Sequence, residues 1–315
     1  MERIEVAPRD VEEALPVVRE VAVRTPTVPF RDETSEVLLK LENMQRLGVF
    51  KIRGVWNRLS RLSERDRSRG LATMSSGNHG LALAWASKRL GLSCVVHVPV
   101  GGNPRKIEAI RALGSEVQLM PRPDYVRSHE EELWRLWPET FIHPFAHDHA
   151  IAGQGTIGLE IAEDVPAAAT VLVPVGGGGL ASGIALGIRG RLPGVKILGV
   201  QAEGAASLPE ALRTGRPYRV DRPETIADGI GLGMILPSMA AILTRTLDGC
   251  LLVSEDDIRS AIRTLAFDAK LVAEPAGAAA FAAWTRYRDR LESPVVAVIS
   301  GGNVDPKLFA QILRS

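Results

Sequence analysis

Residues 70–98 read GLATMSSGNHGLALAWASKRLGLSCVVHV. The run over 70–76 is short and apolar, as a buried strand is. Residues 81–90 then space their apolar side chains for a helix, and Gly91 closes it. A second apolar strand follows over 94–98. Two strands joined through a helix run parallel.

The same rhythm continues outward. Downstream, the sequence predicts a helix over 104–113 closed by Gly114, a strand over 117–120, a charged helix near 129–136 and a strand over 140–142. A loop with His143, His147 and His149 leads into a helix, then strand 170–175, helix 180–191, strand 196–201 and helix 207–213. After an irregular part over 217–237 come strand 250–253, helices 255–268 and 277–290, strand 295–299 and a last helix from Pro306. Upstream lie a helix over 7–23, a strand over 37–41 and a long helix from about Phe50 to Arg69. Alternation of this kind implies parallel sheets with helices on both faces, and ligands at the carboxyl ends of the strands.

Composition narrows the class. The 315 residues suggest two lobes or one large α/β domain. Hydrophobic residues make up 45%, charged ones 24%, and the net charge is +1, so there is a sizeable core and no basic face for nucleic acid or a membrane surface. No apolar run approaches the ~20 residues that span a bilayer. Cys94 and Cys250 sit in apolar runs and read as core residues of a reducing compartment, which makes the expected location cytoplasmic.

Four loops carry the chemistry. Gly176-Gly177-Gly178-Gly179 ends one strand and opens a helix. Its N–H groups can converge on one centre, and the helix start adds positive potential, which suits a single phosphate. The alternative is a tight turn, which needs one or two glycines rather than four. No Gly-Lys-Ser/Thr follows, which excludes a triphosphate-binding loop. Ser75-Ser76-Gly77-Asn78-His79-Gly80 offers hydroxyls, an amide and free N–H groups for a carboxylate or a ring hydroxyl, or else an N-cap with a loose turn. Ser300-Gly301-Gly302-Asn303 sets a hydroxyl at a third strand end.

Lys51 falls at a predicted helix start between Phe50 and Ile52. The helix dipole and the apolar neighbours both disfavour its ammonium form, and a lysine so placed attacks aldehydes to form a Schiff base. The alternative is one more surface cation. Gly153-Gln-Gly-Thr-Ile-Gly158 matches a dinucleotide fingerprint by letter, but a histidine-rich loop precedes it and no acidic residue follows at the required distance. It reads as a hinge or a close-packed helix start.

A Schiff-base lysine, a one-phosphate loop and the lack of a redox or nucleotide fingerprint together suggest pyridoxal phosphate. The chain resembles the serine/threonine dehydratase and serine racemase family of pyridoxal-phosphate enzymes, of the tryptophan-synthase-β fold. The matching pieces are Lys40-Leu-Glu-Asn with Phe50-Lys-Ile-Arg-Gly54, the loop from Ser75 to Gly80, Ala152-Gly-Gln-Gly-Thr-Ile157, Gly176 to Gly179, Thr225-Ile-Ala-Asp-Gly229, Glu274-Pro275 and Ser300-Gly-Gly-Asn303. They occur in the family's order along nearly the whole chain.

The resemblance implies an α/β fold of two lobes, each an open, mostly parallel twisted sheet with helices on both faces and the cofactor in the cleft between them (fold type II). Residues 1–68 and 146–315 would form the large cofactor-binding domain, and 69–145 the small substrate-side domain. By similarity, Lys51 carries pyridoxal 5'-phosphate beside Phe50 and moves the Cα proton. Asn78 meets the ring hydroxyl, Gly176, Gly177, Gly178 and Gly179 hold the phosphate, and Ser300 meets the pyridine nitrogen. Ser75, Ser76 and His79 would bind the substrate carboxylate, joined by Arg127 if the segment after Tyr125 folds over the site.

The implied reaction is loss of water from L-threonine or L-serine to give a 2-oxo acid and ammonia. Serine racemase and 3-hydroxyaspartate dehydratase are the alternatives. Ser76 holds the place of an opposite-face base in racemases, so both outcomes stay open. Val49 replaces a frequent serine. Gln201 and Ser207 stand where metal-activated relatives carry acidic ligands, leaving Glu203 as a partial substitute, so no metal is expected. The chain ends about one helix after Asn303, so feedback through a regulatory domain is not expected. A homodimer or larger homo-oligomer is.

Overall fold

The computed structural model describes residues 4–33, 35–75 and 77–314. Six strands form the larger sheet, in the order Thr27–Arg31, Glu36–Lys40, Val295–Val298, Thr170–Pro174, Lys196–Ala202, Gly249–Val253. Its first pair is antiparallel, with Thr27 opposite Lys40, and every other neighbouring pair is parallel. A four-stranded sheet is parallel throughout, in the order Glu116–Met120, Cys94–Pro99, Leu71–Met74, Thr140–Phe141, and Tyr218–Arg219 with Met234–Ile235 form a small antiparallel pair.

Strand alternation divides the apolar interior of the larger sheet in two. Val171 and Val173 point into a core shared with Val11, Ile157 and Ile184, whereas Leu172 points into one shared with Ile258 and Phe281. Both faces are therefore covered by helices, which is why these strands read as continuous apolar runs rather than alternating ones. Parallel strands put all their carboxyl ends on one edge. The loops after Met74, Pro174 and Val298 open there.

Three expectations change. The helix expected to run to Arg69 stops at Leu59, and Ser63, whose hydroxyl accepts from Asp66 N at 3.1 Å, caps a separate helix, Glu64–Ser68. The charged helix begins earlier, at Arg122, and ends at Glu130 before a short 3-10 turn, Leu133–Leu136. Gly153 to Gly158 is neither a hinge nor a helix start, because it lies inside the helix Asp148–Asp164. Close packing is what its glycines serve: a Cβ on Gly153 would meet Gly54 Cα at 2.7 Å, and one on Gly158 would meet Ile184 O at 2.3 Å. That helix thus lies backbone-to-backbone against both Lys51–Leu59 and Gly179–Arg189.

Candidate active site

Lys51 is the first residue of its helix, and its side chain reaches a cavity of about 270 Å³ between the two sheets. Nζ donates to the Pro144 carbonyl at 3.0 Å and lies 5.0 Å from the centre of the Phe50 ring. Burial pulls the amine's pKa down to about 8, with Glu274 partly opposing the shift. At neutral pH an appreciable fraction of the amine is unprotonated, as attack on an aldehyde requires.

What holds Lys51 there is a buried set of charges. Arg53, two positions on, grips Glu42 through Nε at 2.9 Å and Nη2 at 2.8 Å, and Glu160 through Nη1 at 2.7 Å and Nη2 at 3.0 Å. Lys40 Nζ, fully buried, reaches Glu160 at 2.8 Å and donates to the Thr25 carbonyl at 2.7 Å. Lys40, Glu42 and Arg53, three charged letters of the diagnostic motifs, therefore fasten the strand and the helix start to the helix Asp148–Asp164. None of the three lines the cavity.

Gly176 to Gly179 form one wall. Each glycine has its own reason. A Cβ on Gly176 would meet Gly229 O at 2.9 Å, one on Gly177 the Phe145 ring at 2.4 Å, and one on Gly179 Phe145 O at 2.8 Å. Gly178 has φ +93°, which side-chain-bearing residues rarely adopt. The loop ends where the helix Gly179–Arg189 begins, so its free N–H groups and the helix dipole act together on an anion.

Asn78 opens the helix Asn78–Leu90 and donates Nδ2 to Glu274 Oε1 at 2.7 Å, while its Oδ1 accepts from Asn303 Nδ2 at 2.9 Å. Ser75 and Ser300 line the same cavity. His79 lines it too, but its Nε2 donates to the Ile142 carbonyl at 3.2 Å, and burial holds its pKa down near 3. It is a neutral ring tied to the fold through Nε2. Ser76 lies outside the described residues.

Arg127 is not brought to the cavity. The helix Arg122–Glu130 turns Tyr125 and His129, four apart, toward it, and that periodicity leaves Arg127 on the outer face, 59% exposed and 3.4 Å from Asp124. Pro144, Phe145 and Lys106 line the cavity without a mark in the sequence, and Asp228, part of the matching piece Thr225 to Gly229, lies 3.4 Å from Lys106. His143 shapes the first two, since its Nδ1 accepts from Phe145 N at 3.2 Å and Ala146 N at 2.9 Å.

Gln201 and Ser207 are engaged with each other. Gln201 Nε2 donates to Val175 O at 3.2 Å and Ser207 Oγ at 3.3 Å, and Oε1 accepts from Leu208 N at 2.7 Å. Glu203 pairs instead with Arg286 at 2.7 Å. Among the described residues, no group of three His, Cys, Asp or Glu side chains is placed to hold a metal ion, and no helix is long and apolar enough to cross a membrane.

The residues present fit pyridoxal phosphate. A low-basicity amine suits its aldehyde, and the side-chain-free loop at a helix start suits its phosphate. Glu274 lines the cavity, and its buried carboxyl oxygen Oε2 lacks a hydrogen-bond partner among the described residues, which leaves it for a polar group.

Comparison with known proteins agrees. The family model described as "Pyridoxal-phosphate dependent enzyme" matches residues 18–301. An L-threonine ammonia-lyase of Thermotoga maritima is 39% identical over 312 residues, covering 97% of this chain and 77% of that protein. A serine racemase of Schizosaccharomyces pombe is 34% identical, covering 96% of each chain. The crystal structure of a pyridoxal 5'-phosphate-dependent aspartate racemase superposes with a TM-score of 0.88 at 32% identity, covering 99% of this chain and 100% of that one. On fold, site and sequence alike, the chain belongs to the pyridoxal-phosphate-dependent enzymes.

Proposed function

We propose that this enzyme is a lyase that removes water from L-threonine or L-serine, giving a 2-oxo acid and ammonia. The observation that carries the reading is the meeting, in one cavity, of the weakly basic Lys51 amine, the four-glycine loop and the neutral hydroxyl of Ser300. When bound, pyridoxal phosphate supplies a conjugated ring that draws electrons from the substrate Cα. Gly176 to Gly179 would hold its phosphate, Asn78 its ring hydroxyl, and Ser300 its ring nitrogen. Phe50 packs beside it.

Lys51 would hold the cofactor, and its Nζ would serve as the base for the substrate's Cα proton. Ser300 offers a hydroxyl and no carboxylate, so it does not keep a proton on the ring nitrogen. With such a ring, loss of the β-hydroxyl, which leaves as water on taking up a proton, would be favoured over return of a proton to the cofactor. The main chain at the start of the helix Asn78–Leu90, with Ser75, binds the substrate carboxylate. Lys106 is the cavity's other cation, and its pairing with Asp228 offsets the charge that a second substrate carboxylate would need. That favours threonine and serine over 3-hydroxyaspartate.

Racemisation is the second reading, supported by Ser76 in the sequence and by relatives named serine racemase. In it, Ser76 serves as the base on the face opposite Lys51. Residues 1–68 and 146–315 act as the cofactor-bearing domain, and 69–145 as the substrate-side domain. Two unpaired cysteines support a reducing, cytoplasmic setting. A homodimer or larger homo-oligomer is proposed on family resemblance alone.

The test is a panel of L-threonine, L-serine, D-serine and 3-hydroxyaspartate, scored together for oxo acid, ammonia and the inverted isomer. Oxo acid and ammonia from L-threonine or L-serine are expected. Inversion without elimination makes the enzyme a racemase, and a turnover confined to 3-hydroxyaspartate overturns the substrate assignment.

A further inference from the structure

Glu274 precedes the helix Pro275–Tyr287 and is 3% exposed. Its two carboxyl oxygens differ. Oε1 accepts from Asn78, while Oε2 is buried with no partner among the described residues. Gly301 makes room for the group, since a Cβ there would meet Oε1 at 2.5 Å.

The polarity of the surrounding hydrogen bonds is fixed from outside. The Leu47 carbonyl can only accept, so the atom of Asn303 that lies 2.8 Å from it is the amide nitrogen. That nitrogen's other contact, at 2.9 Å, must then be to an acceptor, Asn78 Oδ1. Asn78 therefore turns its own nitrogen to Glu274, whose Oε1 must accept. Any proton on this carboxyl sits on Oε2. An ionised carboxylate with one oxygen buried and unpaired is costly, whereas a neutral acid there has an O–H to give. Burial pushes the group's pKa up to about 7, and Asp228 adds to this, while Lys106, the Asn78 hydrogen bond and Lys51 oppose it.

We propose that Glu274 is a positioning residue that works as a neutral acid: Oε2–H donates to the ring oxygen of bound pyridoxal phosphate, while Oε1 keeps Asn78 turned toward the same oxygen. This rests on the reading that Asn78 meets the ring hydroxyl. Glutamine at this position mimics the neutral acid, with a carbonyl for Asn78 and an N–H for the ring oxygen. Alanine does neither.

The experiment uses wild-type holoenzyme with E274Q and E274A. It records the visible cofactor band between about pH 5.5 and about pH 9 and measures cofactor affinity by titrating apoenzyme with pyridoxal phosphate. The wild-type band is expected to change near neutral pH, and E274Q to keep the wild-type low-pH band throughout with an affinity within about 3-fold of wild type. E274A is expected to bind the cofactor about 10-fold or more weakly. If E274Q behaves like E274A, an ionised carboxylate is what the site needs and the proposal fails. It fails too if E274A keeps the wild-type band and affinity, or if the wild-type and E274Q bands respond to pH alike. Should E274A not fold, the comparison of wild type with E274Q still decides. A wild-type protein with no cofactor band at all would instead overturn the placement of the cofactor.

Discussion

The ring of Phe145 fills the space in which Gly177 would carry a side chain: a Cβ built on Gly177 stands 2.4 Å from Phe145 Cε2 and Cζ. The glycine wall and the loop after the strand Thr140–Phe141 are therefore fitted to one another. Gly177→Ala is expected to cost about 1–3 kcal/mol from forced overpacking and to weaken cofactor binding. Phe145→Ala added to it should restore part of the stability. Wild-type Tm and cofactor affinity in the single variant would show that the wall yields at no cost.

Lys51 is expected to hold the cofactor covalently. Borohydride reduction of the holoenzyme followed by peptide mapping should place the label on Lys51. A label on Lys40 or Lys106, or none, refutes the assignment.

The lowered basicity of Lys51 has a consequence for stability in the cofactor-free protein. Its amine has a pKa of about 8 when folded, against an ordinary 10.5. The unfolded chain therefore binds the proton more tightly. The resulting destabilisation is fully present below about pH 8 and fades as pH rises from there toward the unfolded value. Apo Lys51→Met should be more stable than apo wild type at about pH 7, and the gap should close by about pH 10.5. A gap that is flat or widens over that range contradicts the lowered pKa.

Arg127→Ala is expected to leave kcat/KM within about 2-fold of wild type, because an exposed pair such as Arg127 with Asp124 contributes about 0–1 kcal/mol and does not touch the cavity. A fall of about 10-fold, equal to ~1.4 kcal/mol, would return Arg127 to the substrate site.

Arg53→Met should destabilise the fold by about 3–5 kcal/mol, since it leaves Glu42 and Glu160 buried and short of partners. Denaturant midpoints measure this. Lost activity at unchanged stability would mean that Arg53 takes part in the chemistry instead.

The sequence made the strands and the loops at their ends legible because parallel strands buried on both faces are unbroken apolar runs, closed by glycine and serine. Lys51 and Gly176 to Gly179 could be found because each stands at a junction with its own chemistry. The contacts among the other site residues had no such mark. Pro144 contributes a backbone carbonyl, which any residue could offer. Glu274 and Asn78 meet across 196 positions of chain, and Asn303 and Asn78 across 225, so no local spacing announces them. Arg127 misled because charge suggested a carboxylate partner, while the helical period that turns it outward depended on where that helix begins.

The buried set beneath Lys51 has one more property. Lys40 and Arg53 carry two positive charges, and Glu42 and Glu160 two negative ones, all 5% exposed or less and in mutual contact. Their sum is zero. Burial is the main cause of the lowered basicity of Lys51, and Glu274 partly opposes it. The most polar part of the motif serves as a fastening, tying the strand and the helix start to the helix Asp148–Asp164. The chain can thus anchor the start of the helix that bears Lys51 with ions, while burial sets the basicity of the amine itself.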